Sequence, residues 1–131
     1  MRKLNTVFEW CNDIVATRAF YSELLGLQET FFDEGRGWLN YRLGETLLVF
    51  VRAPNPVPRV DEWAVTPAYE GGTAHVASWV LEVGREEFDA VVAKLRGAGV
   101  PSWGEPGDSP GGVAFFVRDP MGKTVEVFRE A

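Results

Sequence analysis

The chain is nearly empty of the residues that most often bind metals or close disulfides: 131 residues contain one cysteine, Cys11, and one histidine, His75. A single cysteine excludes an intrachain disulfide and every multi-cysteine zinc motif. A single histidine excludes the sites built on two or more imidazoles from one copy of the chain, and it leaves no serine–histidine–acid set to argue for. No apolar run reaches the roughly 18 residues of a membrane span, and "MRKLNTVFEW" lacks the long apolar core of a signal peptide. The expectation is a cytoplasmic protein with no membrane partner. Positive charge is also short, with 13 Lys and Arg against 19 Asp and Glu and a net charge of −6. That balance argues against nucleic acid, whose phosphates would be repelled, and favours a cationic partner.

Hydrophobic residues make up 46% of the chain and charged residues 24%, ordinary for a globular protein. A chain of this length buries roughly two-thirds of its unfolded surface, enough for a real core. Five tryptophans exceed what such a core needs, and flat rings at a surface can form a ligand platform. Periodicity predicts strands over 4–11, 27–33, 37–43 and 45–52, with a helix over 13–25 capped at Asn12 or Asp13 and closed before Gly26. A second set follows: strands over 75–83, 101–104, 112–118 and 123–129, with a helix over 85–98. That helix shows Phe88, Val91, Val92 and Leu95 on one face.

Each half thus reads strand–helix–three strands, and the halves echo each other in letters. "GETLLVF" (44–50) matches "GKTVEVF" (122–128), and "LLGL" (24–27) corresponds to "GAGV" (97–100). We read an internal duplication of a βαβββ unit within one α+β domain spanning 1–131. Module 1 covers about 1–52, a crossover 53–73, and module 2 about 74–131. Four prolines in residues 52–73 disfavour regular structure there. The length points to a lid or a dimer contact, with Trp63 and Tyr69 as its aromatics. "GDSPGG" (107–112) reads as a mobile hairpin loop, and Trp38 and Tyr41 fall on opposite faces of their strand, both better suited to the core.

"NDIVATRAFYSELLGL" (12–27) and "RDPMGKTVEVF" (118–128) together resemble the vicinal oxygen chelate superfamily, which includes glyoxalase I, extradiol dioxygenases, fosfomycin-modifying enzymes and bleomycin-resistance proteins. The resemblance covers nearly the whole chain, in order. It implies a cup-shaped mixed sheet with helices outside, and commonly a homodimer. In metal-dependent members four cup-facing ligands come from the first and last strands of each module. Carried over by motif, those positions fall at Thr6, Ser78 and Glu126, and the internal repeat sets Leu48 as the remaining one. Leucine offers no donor and a hydroxyl is a weak ligand unless ionised, so no metal and no cofactor are expected.

Alternation adds a cup lining of Thr6, Phe8, Trp10, Leu48 and Phe50 from module 1. From module 2 it takes Ser78, Val80, Glu126 and Phe128. His75 falls on the helix-facing parity. Glu9 does too unless the first strand is bulged or shifted, in which case Asn5 and Glu9 would face the cup. Glu126 is the one carboxylate among the lining residues and can be read four ways: a group gripping a cation, a general base, a metal ligand, or a structural residue. The first is preferred, the second being the catalytic alternative. The expectation is a metal-independent protein that binds an aromatic, possibly cationic small molecule. The alternative is a glyoxalase- or dioxygenase-like enzyme with a non-standard metal site or with Glu126 as base.

Overall fold

The structure, a computed structural model, describes residues 1–65 and 78–131. His75, Tyr69 and the start of the strand expected from residue 75 lie outside the described residues. The chain divides into two compact units, Met1–Pro58 and Arg59–Ala131.

The first unit runs β1 (Thr6–Cys11), α1 (Ile14–Arg18) continued as a π-helical segment (Ala19–Leu24), β2 (Gln28–Asp33), β3 (Trp38–Leu43) and β4 (Thr46–Arg52). The strands form one sheet in the order β1-β4-β3-β2, with β1 parallel to β4 and the rest antiparallel. The second unit repeats the plan with β5 (Trp79–Glu82), α2 (Arg85–Gly97), β6 (Ser102–Ser109), β7 (Gly112–Arg118) and β8 (Thr124–Glu130). Its sheet order is β5-β8-β7-β6. Each unit is therefore a βαβββ module with a four-stranded mixed sheet, as the duplicated letters imply.

Local chemistry sets the helix ends. Asp13 is the first helix's N-cap, its Oδ1 accepting from the Ala16 amide at 3.0 Å. Past Arg18 the turns widen: the Leu25 amide bonds the Phe20 carbonyl at 3.0 Å, the i→i+5 pattern of a π-turn. The buried residues of the segment are Ile14, Thr17, Phe20, Tyr21 and Leu25. On α2, Phe88, Val92 and Leu95 are buried as the heptad-like spacing requires. Glu87 also reaches back to accept from the Gly84 amide.

The "GDSPGG" segment is not a loop. Residues 107–109 extend β6, which pairs with β7 through Ser109↔Gly112, so only Pro110 and Gly111 turn the chain. The register slips between Trp103 and Gly107, a bulge that carries the strand past Pro106.

Candidate functional site

Each sheet has one face packed on its own helix and one face turned away from it. In the first unit Tyr21 stacks on Phe50 at 4.6 Å between ring centroids and lies 6.1 Å from Tyr41. Cross-strand register then puts Leu39, Tyr41, Leu48 and Phe50 on the helix side. All four are buried. Leu48 and Phe50 therefore do not belong with Thr6, Phe8 and Trp10, contrary to the expectation from the repeat. The strand neighbours Leu47, Val49 and Val51 share the face of Thr6, Phe8 and Trp10.

β1 pairs with β4 without a break from Thr6 to Cys11, so the shift that would turn Asn5 and Glu9 to the open side is absent. Glu9 stands beside Phe50 by register.

The open face of the first sheet is aromatic. One cross-strand row reads Phe8, Val49, Asn40, Phe31, and the next reads Trp10, Val51, Trp38, Asp33. Phe8 is 63% exposed and Trp10 54%, a large uncovered apolar area for adjacent residues. Phe8 meets Trp38 edge to face at 6.1 Å. A cavity of about 350 Å³ lies here, lined by Phe8, Trp10, Trp38 and Val51 and bordered by Glu9, which alternates to the other side of β1 between Phe8 and Trp10. Trp38 thus lines a concavity rather than the core, while Tyr41 is in the core as its parity requires.

A tight turn holds Trp38 in place. Arg52 donates to the carbonyls of Glu34 and Gly35, each at 3.0 Å. Gly37 has φ 67°, and a Cβ there would overlap Cβ of Arg52, so only glycine lets the turn lie this close.

In the second unit the helix side holds Leu81, Phe115, Val117, Val125 and Val127, all buried. The other side carries the row Val80, Glu126, Phe116, Trp103. Phe128 and Ala114 stand on one side of that row, and Thr124 and Arg118 on the other. Val80, Glu126 and Phe128 thus share one face of the sheet, and Ser78 immediately precedes β5 in the same alternation.

Residues 59–65 cover part of this face. The Ala64 amide donates to Thr124 Oγ1 at 2.9 Å, and the Val60 amide to the Met121 carbonyl at 2.8 Å. Gly122 (φ 80°) admits the Val60 carbonyl where a Cβ would collide. Trp63 packs on Trp103 at 5.7 Å, and the Arg118 guanidinium lies 4.3 Å over the Trp63 ring while donating to the Asp61 carbonyl.

Glu126 is only 7% exposed, and among the described residues it has no hydrogen-bond or ion-pair partner. Burial pushes its carboxyl above the usual carboxylate range, because taking the anion out of water disfavours it. The remaining titrations of interest sit behind the first helix, on the covered face. Ser22 Oγ and Tyr41 Oη are 2.6 Å apart, and Ser22 donates to Glu29 at 3.1 Å. Arg18 clamps Glu29 at 2.6 and 2.9 Å. The Arg18 bond lowers the Glu29 pKa, and burial pushes the Tyr41 phenol up to about 12.

These donors do not suit a four-ligand metal centre. At the positions carried over from the resemblance the open faces supply one carboxylate, Glu126, and two hydroxyls, Thr6 and Ser78, and Leu48 faces the other way. Among the described residues no cluster of three or more His, Cys, Asp or Glu could hold a metal ion.

The model of the Glyoxalase/Bleomycin resistance protein/Dioxygenase superfamily matches residues 3–127. Among solved structures, a glyoxalase/dioxygenase from Nostoc punctiforme aligns at 20% identity and a TM-score of 0.79, covering 99% of this chain and 92% of that chain. The genomically encoded fosfomycin resistance protein FosX of Listeria monocytogenes aligns at 13% identity and a TM-score of 0.71, covering 100% and 95%. A lactoylglutathione lyase from Agrobacterium tumefaciens aligns at 22% identity and a TM-score of 0.64, covering 97% and 92%. At these identities the likeness is one of fold. Among curated proteins no match is found.

Proposed function

We propose that this chain, which belongs to the Glyoxalase/Bleomycin resistance protein/Dioxygenase superfamily, is a metal-independent binding protein for a flat aromatic small molecule. Superfamily membership by itself selects no activity, since fosfomycin-resistance proteins, a lyase and oxidases all share this fold. The observation that carries the reading is the concavity on the first sheet. Phe8 and Trp10 present exposed rings, and Trp38 a half-buried one, around an apolar floor at Val51. Burying an aromatic ligand there removes apolar surface on both partners from water.

A cationic ring gains further. Each aromatic face attracts positive charge, worth roughly 0.5–2 kcal/mol per contact, and the net charge of −6 draws cations to the protein. Tryptophan fluorescence titration with matched cationic and neutral bicyclic aromatics tests this. Wild type should bind both, the cation more tightly, and Trp10→Ala should weaken both about tenfold. Absence of binding by either class would refute the reading.

Glu126 supports a second, enzymatic reading. A carboxyl whose pKa is raised by burial, with no partner among the described residues, holds a proton more tightly than an ordinary carboxylate, the direction a general base needs. It would then serve a glyoxalase- or dioxygenase-like conversion without a metal. The exposed apolar residues also support assembly as a homodimer, and light scattering should give a mass near twice 14.6 kDa.

A further inference from the structure

We infer that Asn40 selects among the ligands of the aromatic concavity, favouring rings that carry a hydrogen-bonding edge; this rests on the ring-binding reading of the first unit. Asn40 is the polar member of the row Phe8, Val49, Asn40, Phe31. It stands two residues from Trp38 on β3, and so points to the same side of the sheet. Its Oδ1 is closed off from solvent and has no hydrogen-bond partner among the described residues. The Thr30 hydroxyl, 3.4 Å away, donates to the main-chain carbonyl of Asn40 and not to its amide.

Asparagine suits neither a strand nor an apolar surface. Its cross-strand neighbours, Val49 and Phe31, have no side-chain polar atoms to offer it, and the backbone groups around it are committed to the ladders. A buried carbonyl oxygen left in this state is costly, and a ligand that satisfies it recovers that cost on binding.

The side-chain amide carries an acceptor at one end and two donors at the other. Asn40 stands beside the concavity, which Phe8, Trp10, Trp38 and Val51 line and Glu9 borders, and its last torsion is soft, so a rotation of the amide brings either end to the concavity's border. Sequence reading passed over Asn40 because it sits between Trp38 and Tyr41 with no motif around it. Only the unmet oxygen marks it out.

A matched pair of probes isolates the contribution: 2-naphthol, which carries a hydroxyl, and 2-methylnaphthalene, which carries a methyl in its place. Affinities for both are measured by calorimetry on wild type, Asn40→Leu and Asn40→Thr, with thermal unfolding as the control for folding. Asn40→Leu keeps the approximate volume and removes the polar group. It should shift the naphthol-to-methylnaphthalene affinity ratio toward the methyl compound by roughly three- to tenfold, the worth of one hydrogen bond. The variant should unfold no earlier than wild type, since it loses an unsatisfied group. Asn40→Thr, which retains a donor and an acceptor, should keep the ratio closer to that of wild type.

A ratio unchanged in Asn40→Leu, or shifted equally in both variants, would overturn the role of Asn40 while leaving ring binding intact. If wild type binds neither probe, the ring-binding reading fails and the selectivity fails with it.

Discussion

Replacing Glu126 with Gln should make the protein more stable at neutral pH and leave it nearly unchanged in acid. In the folded chain the carboxyl sits at 7% exposure without a partner among the described residues, and its pKa is raised by burial alone. In the unfolded chain it titrates near the ordinary glutamate value of about 4.3. The folded state therefore binds this proton more tightly than the unfolded state. Stability from this group is fully present below the unfolded pKa and is lost as pH rises through the folded pKa.

At pH 7 the ionised group is a net cost. Glutamine is close in shape and removes the charge but retains an amide that must still be accommodated. An unmet buried polar group costs about 1–3 kcal/mol, more when charged, so removing only the charge should return about 1 kcal/mol. For a chain of 131 residues that is a rise of roughly 3–5 °C in Tm. Urea unfolding of both proteins from pH 4 to pH 8 gives the difference directly and cancels every other titrating group. The gap should open as pH rises above the ordinary carboxylate range. A gap independent of pH would show that burial leaves the carboxyl unshifted, and a Glu126→Gln protein less stable than wild type at pH 7 would show that the anion is stabilised in the fold; either result would defeat the general-base reading.

Two further outcomes follow from the sheet faces. Leu48→Ala, which empties a buried position beneath the first helix, should cost about 2–5 kcal/mol in denaturant unfolding. Phe8→Ala, at an exposed position, should change stability by no more than about 0.5 kcal/mol yet weaken aromatic ligands; the reverse pattern would restore Leu48 to the lining. Tyr41→Phe removes the hydroxyl paired with Ser22 and should cost about 1 kcal/mol. Because the phenol stays protonated up to about pH 12, the loss should be equal at pH 6 and pH 9.

The fold is legible in the sequence because its signals are local and repeated. Helix caps at Asp13, glycines after each helix, and alternation along Val125 to Phe128 each agree with the element order. The faces were harder, and the reason lies in two hairpins. "GETLLVF" and "GKTVEVF" align letter for letter, which sets Leu48 against Glu126. In the first unit β3 and β4 join through Gly44 and Glu45 alone, with Leu43 facing Thr46. In the second, five residues intervene between Arg118 and Thr124, organised by Asp119, whose Oδ1 accepts from the amides of Met121 and Lys123 at 2.9 and 3.0 Å.

Thr46 consequently shares the helix side with Leu48 and Phe50, whereas Thr124 shares the open side with Glu126 and Phe128. A strand has period two, so one residue of offset between otherwise matching letters exchanges lining for core. On that account Val49, not Leu48, is the residue of β4 that answers to Glu126: each is paired by register with an exposed apolar residue of the neighbouring parallel strand, Phe8 in one sheet and Val80 in the other. The duplication therefore preserves an aromatic or apolar open face in both units and places a carboxylate at this position in only one. Each open face therefore carries its own chemistry: exposed aromatic rings in the first unit, and a buried carboxylate among apolar residues in the second.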